Sequence, residues 1–261
     1  MELGLAGQVA IVTGASKGIG LAVTEALVEE GVAVVAGARR ASPELMRLAR
    51  TGHVDFVAAD LSTADGPAHL IDAAAGRGRL DILVNNVGAV TPRPGGFLTV
   101  TDDEWLAAFM LNVMAAVRTT RAALPMMLAA GHGSIVTVSS VNAFLPDPLV
   151  IDYGAAKAAL TNVGKALSKE YGGQGIRVNT VSPGPVATDL WLGPGGVADT
   201  LAGENGADPS AVAAGAAAAS VSGRFTQPGE IGRLVAFLAS DAAGNVTGTD
   251  VTIDGGLTTT T

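Results

Sequence analysis

Apolar runs of four to six residues recur along the chain, and stretches with helical spacing separate most of them. Gln8 to Thr13 reads as a buried strand, and Gly18 to Glu30 reads as the helix that follows it. Further strands are expected at Val32 to Gly37, Val54 to Ala58, Ile82 to Asn85, Ile135 to Ser139, Arg177 to Ser182 and Val251 to Asp254. Runs this apolar are covered on both faces, which is the habit of parallel sheets. Right-handed crossovers then give a doubly wound, seven-stranded parallel sheet with helices on both faces. No linker divides the pattern, so residues 1–261 are read as one α/β domain. Leu190 to Arg224 breaks the regularity, being rich in Gly and Ala with scattered Pro. It is expected to be a flexible insertion, partly helical around Ala211 to Ala219. Either it is a surface excursion or it is a substrate lid, and its length favours the lid.

Composition narrows the chemistry. Hydrophobic residues make up 48% of the chain and charged residues 15%, which suits a large buried core and not a disordered chain. Twenty-four acids against 16 bases leave a net charge of −8, which argues against a nucleic-acid surface. The absence of cysteine excludes disulfides and thiolate chemistry. His53, His69 and His132 lie far apart, so no metal site is expected. No basic leader precedes the first strand, and no apolar run approaches the roughly 18 residues that span a bilayer. A soluble, cytoplasmic protein without membrane partners is expected.

The first strand ends in Thr13-Gly14-Ala15-Ser16-Lys17-Gly18-Ile19-Gly20, directly before a helix. Glycines there let a pyrophosphate approach bare backbone, and the helix N-terminus offers it free N–H groups. The second strand ends in Gly37-Ala38-Arg39-Arg40 with no acid to accept bonds from an adenosine 2′-hydroxyl. Arg39, Arg40 and Lys17 would instead hold a 2′-phosphate, so NADP(H) is expected over NAD(H). Solvated loop charges are the competing reading for the arginines. Asp60, before Leu61, would bind the adenine amino group or cap the turn at Ser62 and Thr63.

Tyr153 and Lys157 stand four residues apart in a helical pattern and so share a face. A phenol titrates near 10 in water, and a neighbouring ammonium is expected to lower that value, making the pair a general acid and base. The next acid, Asp152, is turned about 100° away from Tyr153 along the helix. The strand end Ser139-Ser140 and the turn Asn85-Asn86-Val87-Gly88 fall at the same edge of the sheet. Asn112 lies in an otherwise apolar helix, Trp105 to Val117, either as a satisfied amide or as part of a proton relay.

In this combination the residues resemble the classical type of the short-chain dehydrogenase/reductase family, over essentially the whole chain. The family's glycine motif matches Thr13 to Gly20, and its Asn-Asn-Ala-Gly turn matches Asn85 to Gly88 with Val87 in place of alanine. Its serine, thirteen residues before the tyrosine, falls on Ser140. Its Tyr-x-x-x-Lys falls on Tyr153 and Lys157, its Pro-Gly turn on Pro183 to Thr188, and its Asp-Gly-Gly on Asp254 to Gly256. The resemblance implies a Rossmann fold and an oxidoreductase that interconverts a carbonyl and an alcohol. Tyr153 would exchange the proton, Ser140 would polarise the oxygen, Lys157 would bind the nicotinamide ribose, and Asn112 would hold a water. Gly14, Ser16, Gly18, Ile19, Gly20, Leu61, Asn86, Val87, Gly88, Pro183, Gly184, Val186 and Thr188 would contact the nucleotide. Ser140, Asn142, Phe144, Val150 and Trp191 would line the substrate, with core or interface packing an equal reading for the apolar ones. An NAD-dependent alcohol dehydrogenase, a transiently oxidising isomerase and a nucleotide-binding regulator are the alternatives. A homotetramer, or a homodimer, is implied, joined mainly through Trp105 to Ala130 and Asp152 to Tyr171.

Overall fold

A computed structural model describes residues 2–259. Met1, Thr260 and Thr261, at the ends of the expected domain, lie outside the described residues. The first half of the chain runs β1 (Val9–Thr13), α1 (Gly18–Glu29), β2 (Ala33–Ala38), α2 (Pro43–Ala49), β3 (Val54–Ala58), α3 (Gly66–Gly76) and β4 (Ile82–Asn85). It continues with α4 (Asp102–Phe109), α5 (Ala115–Ala130), β5 (Gly133–Val138), α6 (Ile151–Tyr171) and β6 (Ile176–Pro183). Three helices follow, α7 (Asp189–Leu192), α8 (Val197–Asn205) and α9 (Pro209–Ala218), and then α10 (Pro228–Ala239) and β7 (Asp250–Ile253).

All seven strands pair in parallel, in the order β3-β2-β1-β4-β5-β6-β7. Val12 sits between Ala36 of β2 and Val84 of β4. Successive side chains of a strand point to opposite faces, so the sheet feeds two cores. Ala10, Val12, Ile82 and Val84 pack with Leu27 of α1, Leu45 of α2 and Ile231 of α10. Val9, Ile11 and Leu83 pack on the other side with Leu70 of α3 and with Leu124 and Met127 of α5. The expected doubly wound sheet is therefore present, and most strand boundaries shift by only a residue or two.

The strand order reverses between β1 and β4. A crevice opens outside the carboxyl ends of the strands at such a point, and ligands bind there in open α/β sheets. The helical stretch after β4 differs from its simple reading. A capping box of Thr101 and Glu104 starts α4 at Asp102, and a π-helical turn, Met110–Met114, separates it from α5. Asn112 sits in that turn. The Gly- and Ala-rich segment after β6 is more helical than expected, because α7, α8 and α9 occupy most of it. Among the described residues no helix is long and apolar enough to cross a membrane.

Candidate active site

The crevice has two halves. The first is a cavity of about 350 Å³ over β1, β2 and β4, floored by the glycine loop. Gly14, Ser16, Lys17, Gly18 and Ile19 line it, together with Asn86, Val87, Gly88, Arg39, Asp60, Leu61 and Thr188. Lys17 is the N-cap residue of α1 but makes no side-chain cap bond, and no acid occupies the first turn. The positive end of the helix therefore faces the cavity without a competing carboxylate.

Two sequence motifs interlock beneath this cavity. The Thr13 hydroxyl donates to the Val84 carbonyl (3.2 Å) and accepts from the Asn86 and Val87 N–H groups (2.8 and 3.1 Å). The Asn86 amide donates back to the Thr13 carbonyl (2.9 Å). A Cβ at Gly20 would overlap the Gly14 carbonyl oxygen and crowd Asn86 Nδ2 at 2.5 Å. Glycine at 20 therefore lets the loop fold back on its own helix, and the same closeness explains why Gly20 does not itself reach the cavity. Arg40 is exposed and does not line the cavity either, whereas Arg39 and Lys17 do. Asp60 closes its own turn, accepting from the Ser62 hydroxyl (2.7 Å) and N–H (3.0 Å). These bonds, with a smaller contribution from the Arg39 charge, hold its carboxyl below the usual carboxylate range.

The first turns of α6 carry Tyr153 and Lys157, and both line the nucleotide-side cavity. Lys157 is buried, its ammonium lies 5.5 Å from the centre of the Tyr153 ring, and it donates to the Val138 carbonyl at 2.9 Å. Burial lowers the lysine to about 8. Burial also pushes the Tyr153 phenol up to about 12, against the opposing hydrogen bond with Ser140. The expected lowering of the phenol by its neighbour is thus not found in the protein alone, because desolvation outweighs the other influences on it.

The two serines at the end of β5 divide their work. Ser139 faces α6, bonding the Lys157 carbonyl and the Thr161 hydroxyl, both at 3.1 Å. Ser140 caps a short 3₁₀ turn at Val141–Ala143, where its hydroxyl exchanges hydrogen bonds with Asn142 at 3.2 Å. Ser140 rather than Ser139 therefore interacts with Tyr153. Asn112 is buried; its Oδ1 accepts from the Ala89 N–H (3.1 Å), and its Nδ2 donates to the Ala89 and Ala108 carbonyls (both 3.0 Å). Its side chain is a satisfied amide that holds the loop after β4. π-turns of this kind are frequent at functional sites. A Cβ at Gly88 would stand 2.7 Å from Asn112 Oδ1 and 3.4 Å from Lys157 Nζ. Glycine at 88 thus lets the lysine, the asparagine and the turn converge.

The second half is a cavity of about 460 Å³ that shares Tyr153, Ile19, Ser139, Thr188 and Leu190 with the first. Ser140, Asn142, Val150 and Trp191 line it together with Pro183, Gly184 and Val186. Phe144 is 45% exposed and lies outside its lining. Trp191 is braced by Phe225, ring centres 5.4 Å apart. Asp254 accepts from the Gly256 N–H and from the Thr258 N–H and hydroxyl, so the terminal motif folds under Gly184 and delivers Leu257 to the wall.

Sequence reasoning missed Arg93. Its guanidinium is largely buried and bonds Asp152 at 2.6 Å and Glu104 at 2.6 Å, while its N–H donates to the Leu149 carbonyl. Asp152 therefore faces away from the phenol, as its helical position predicts. A lone arginine between Pro92 and Pro94 was the available signal. Leu149 and Leu201 were missed as well, since a single apolar residue in a loop or helix carries no mark of a site.

Comparison with known proteins places this site among relatives. Residues 14–258 match the family model described as Enoyl-(Acyl carrier protein) reductase. The structure of L-sorbose reductase from Gluconobacter frateurii, complexed with NADPH and L-sorbose, superposes with a TM-score of 0.91 at 33% identity over 100% of both chains. The D-threitol dehydrogenase of Mycolicibacterium smegmatis is 36% identical over 97% of this chain and 94% of its own length. The cis-4-hydroxycyclohexanecarboxylate dehydrogenase of Sinomonas cyclohexanicum is 37% identical over 96% of both.

Proposed function

Because the chain belongs to the short-chain dehydrogenase/reductase family, as its match over residues 14–258 and its relatives show, we propose that it is an NADP(H)-dependent oxidoreductase interconverting a ketone and a secondary alcohol. The observation that carries this reading is the position of Tyr153, which lines both cavities and so touches the boundary between nucleotide and substrate. The glycine loop, its helix end and the Asn86–Gly88 turn that lines the same cavity fit a dinucleotide. A bound nicotinamide nucleotide supplies the hydride for reduction, or takes it up in oxidation. In reduction the Tyr153 hydroxyl would give its proton to the carbonyl oxygen as the carbon takes the hydride, and the phenolate left behind would regain a proton from solvent. Ser140 would turn its hydroxyl from Asn142 to the same oxygen, and Lys157 would hold the nicotinamide ribose. Positioning and stabilisation of the developing oxyanion then supply the rate.

Arg39 and Lys17, with no acid at the end of β2, support the choice of NADP(H). The NADPH-bound sorbose reductase is a relative consistent with it. Initial rates on a ketone panel with each nucleotide test the reading, and a clear preference for NADH sinks the phosphate assignment. Arg39→Ala should raise KM for NADPH roughly 10- to 100-fold, the worth of a charged hydrogen bond, while KM for NADH stays put. Assembly as a homotetramer or homodimer is part of the same reading. An apolar groove between α5 and α6, lined by Leu124, Leu128, Leu160 and Leu167, supports it, and light scattering measures it.

A further inference from the structure

We infer that the substrate is a neutral ketone, or the matching secondary alcohol, with an apolar ring or chain, and that polyhydroxylated and anionic carbonyl compounds are poor substrates. This rests on the oxidoreductase reading above and adds the chemical class the site accepts.

The cavity beyond Tyr153 holds about 460 Å³, well within the size of sites for small organic molecules. One wall is Leu145, Leu149 and Val150; the other is Val186, Trp191 and Leu201. The polar groups nearby are largely engaged. The Asn142 amide bonds Ser140 and the Leu145 carbonyl (3.3 Å), and Asp147 Oδ1 accepts from the Leu149 N–H (2.9 Å). Tyr153, Ser140 (whose hydroxyl is shared with Asn142) and Thr188 are the hydroxyls left to meet a carbonyl oxygen, too few for a polyol. A sugar-like substrate would leave several hydroxyls against hydrocarbon, and each unpartnered hydroxyl costs roughly tenfold in affinity.

Charge points the same way. No Lys, Arg or His is among the described residues lining this cavity, and its one ionisable carboxylate is Asp147. A carboxylate or phosphate on the substrate would meet no cation there, only the Asp147 carboxylate. The mouth is apolar as well. Leu145 and Leu190 line the cavity yet remain 41% and 42% exposed, which leaves hydrocarbon in water until something apolar covers it.

The test compares kcat/KM with saturating NADPH for 4-methylcyclohexanone, L-sorbose and levulinate, alongside quenching of tryptophan fluorescence in the protein saturated with NADP⁺. The expected result is a preference of at least 100-fold for the cyclic ketone over both others. A preference below tenfold, or the reverse order, overturns the inference and leaves the oxidoreductase reading standing. If no probe turns over with either nucleotide, that reading falls; saturable quenching by the cyclic ketone alone still supports the apolar site, and its absence overturns it. Leu201→Lys places a cation in the part-buried wall of α8. It should move the levulinate-to-cyclohexanone ratio upward at least tenfold, and an unchanged ratio in the folded variant removes this wall from the substrate site.

Discussion

The two halves of the crevice are built from different materials. The nucleotide half is largely backbone: the glycine loop, the Asn-Asn turn and the first turn of α1, tied together through Thr13 and Asn86. The substrate half is side chain, with walls contributed by a loop before α6, the end of β6, α7, α8 and residues after β7. Backbone recognition demands particular residues at fixed spacing, because only glycine permits the approach. Side-chain recognition demands only volume and polarity, which many sequences satisfy. On the proposed function, one half would specify a cofactor class and the other would be free to specify a substrate.

Tyr153 stands on the border, and its replacement separates the halves most sharply. Tyr153→Phe removes the proposed proton donor while keeping the ring. Turnover should fall about 10²- to 10⁴-fold, the usual worth of general acid–base catalysis, while the dissociation constant for NADPH changes little. Fluorescence titration and steady-state rates on the same preparation check this. Near-normal turnover would remove Tyr153 from the chemistry.

A smaller effect is expected from Arg93, which ties the loop after β4 to the start of α6. Asp152 is only 3% exposed, and Arg93→Ala would strand its carboxylate without a cation. Breaking such a pair costs about 3–5 kcal/mol, seen as a fall in Tm on the order of 10 °C. Asp152→Asn in the Arg93→Ala background should restore part of it. A loss under about 1 kcal/mol would mean that the exposed Glu104 side of the cluster dominates and the clamp is a surface feature.

The same contrast decides what could be read in advance. The strands, the glycine loop and the Tyr153–Lys157 pair were legible because each obeys a short-range rule: alternation, turn chemistry or helical spacing. The doubly wound arrangement followed from those elements and the handedness of their connections, whereas the order β3-β2-β1-β4-β5-β6-β7 comes from the pairing in the structure. The helices after β6 were harder. α9 was expected around Ala211 to Ala219 although it has no apolar stripe, because alanine favours helix, and Asp208 caps it before Pro209; α7 and α8, short and Gly-flanked, carried no such signal. α10 went unremarked despite Pro228 at its start and the Gln227–Glu230 capping box. Leu149, Leu201 and Leu257 meet only in three dimensions, and nothing local distinguishes them from core. Pro183, Gly184 and Val186, assigned to the nucleotide by resemblance, line the second cavity, while Thr188 of the same turn lines both.

The mildest perturbation is pH, which probes the border without changing a residue. Lys157 is lowered to about 8 by burial, and Tyr153 is raised to about 12. In the free protein the lysine therefore carries its charge below about pH 8 and loses it above, while the phenol keeps its proton throughout that range. In the proposed mechanism reduction would use a protonated phenol and a charged lysine. The value of kcat/KM for NADPH, which reports the free enzyme, should stay level up to about pH 8 and then fall toward tenfold per unit. A fall that begins only near pH 10 would instead assign the loss to an ordinary phenol and return the lysine to its usual range. Lys157→Arg separates these outcomes, because a guanidinium stays charged across the whole range. Whatever its absolute rate, that variant should lose the break near pH 8 and keep any break that belongs to Tyr153.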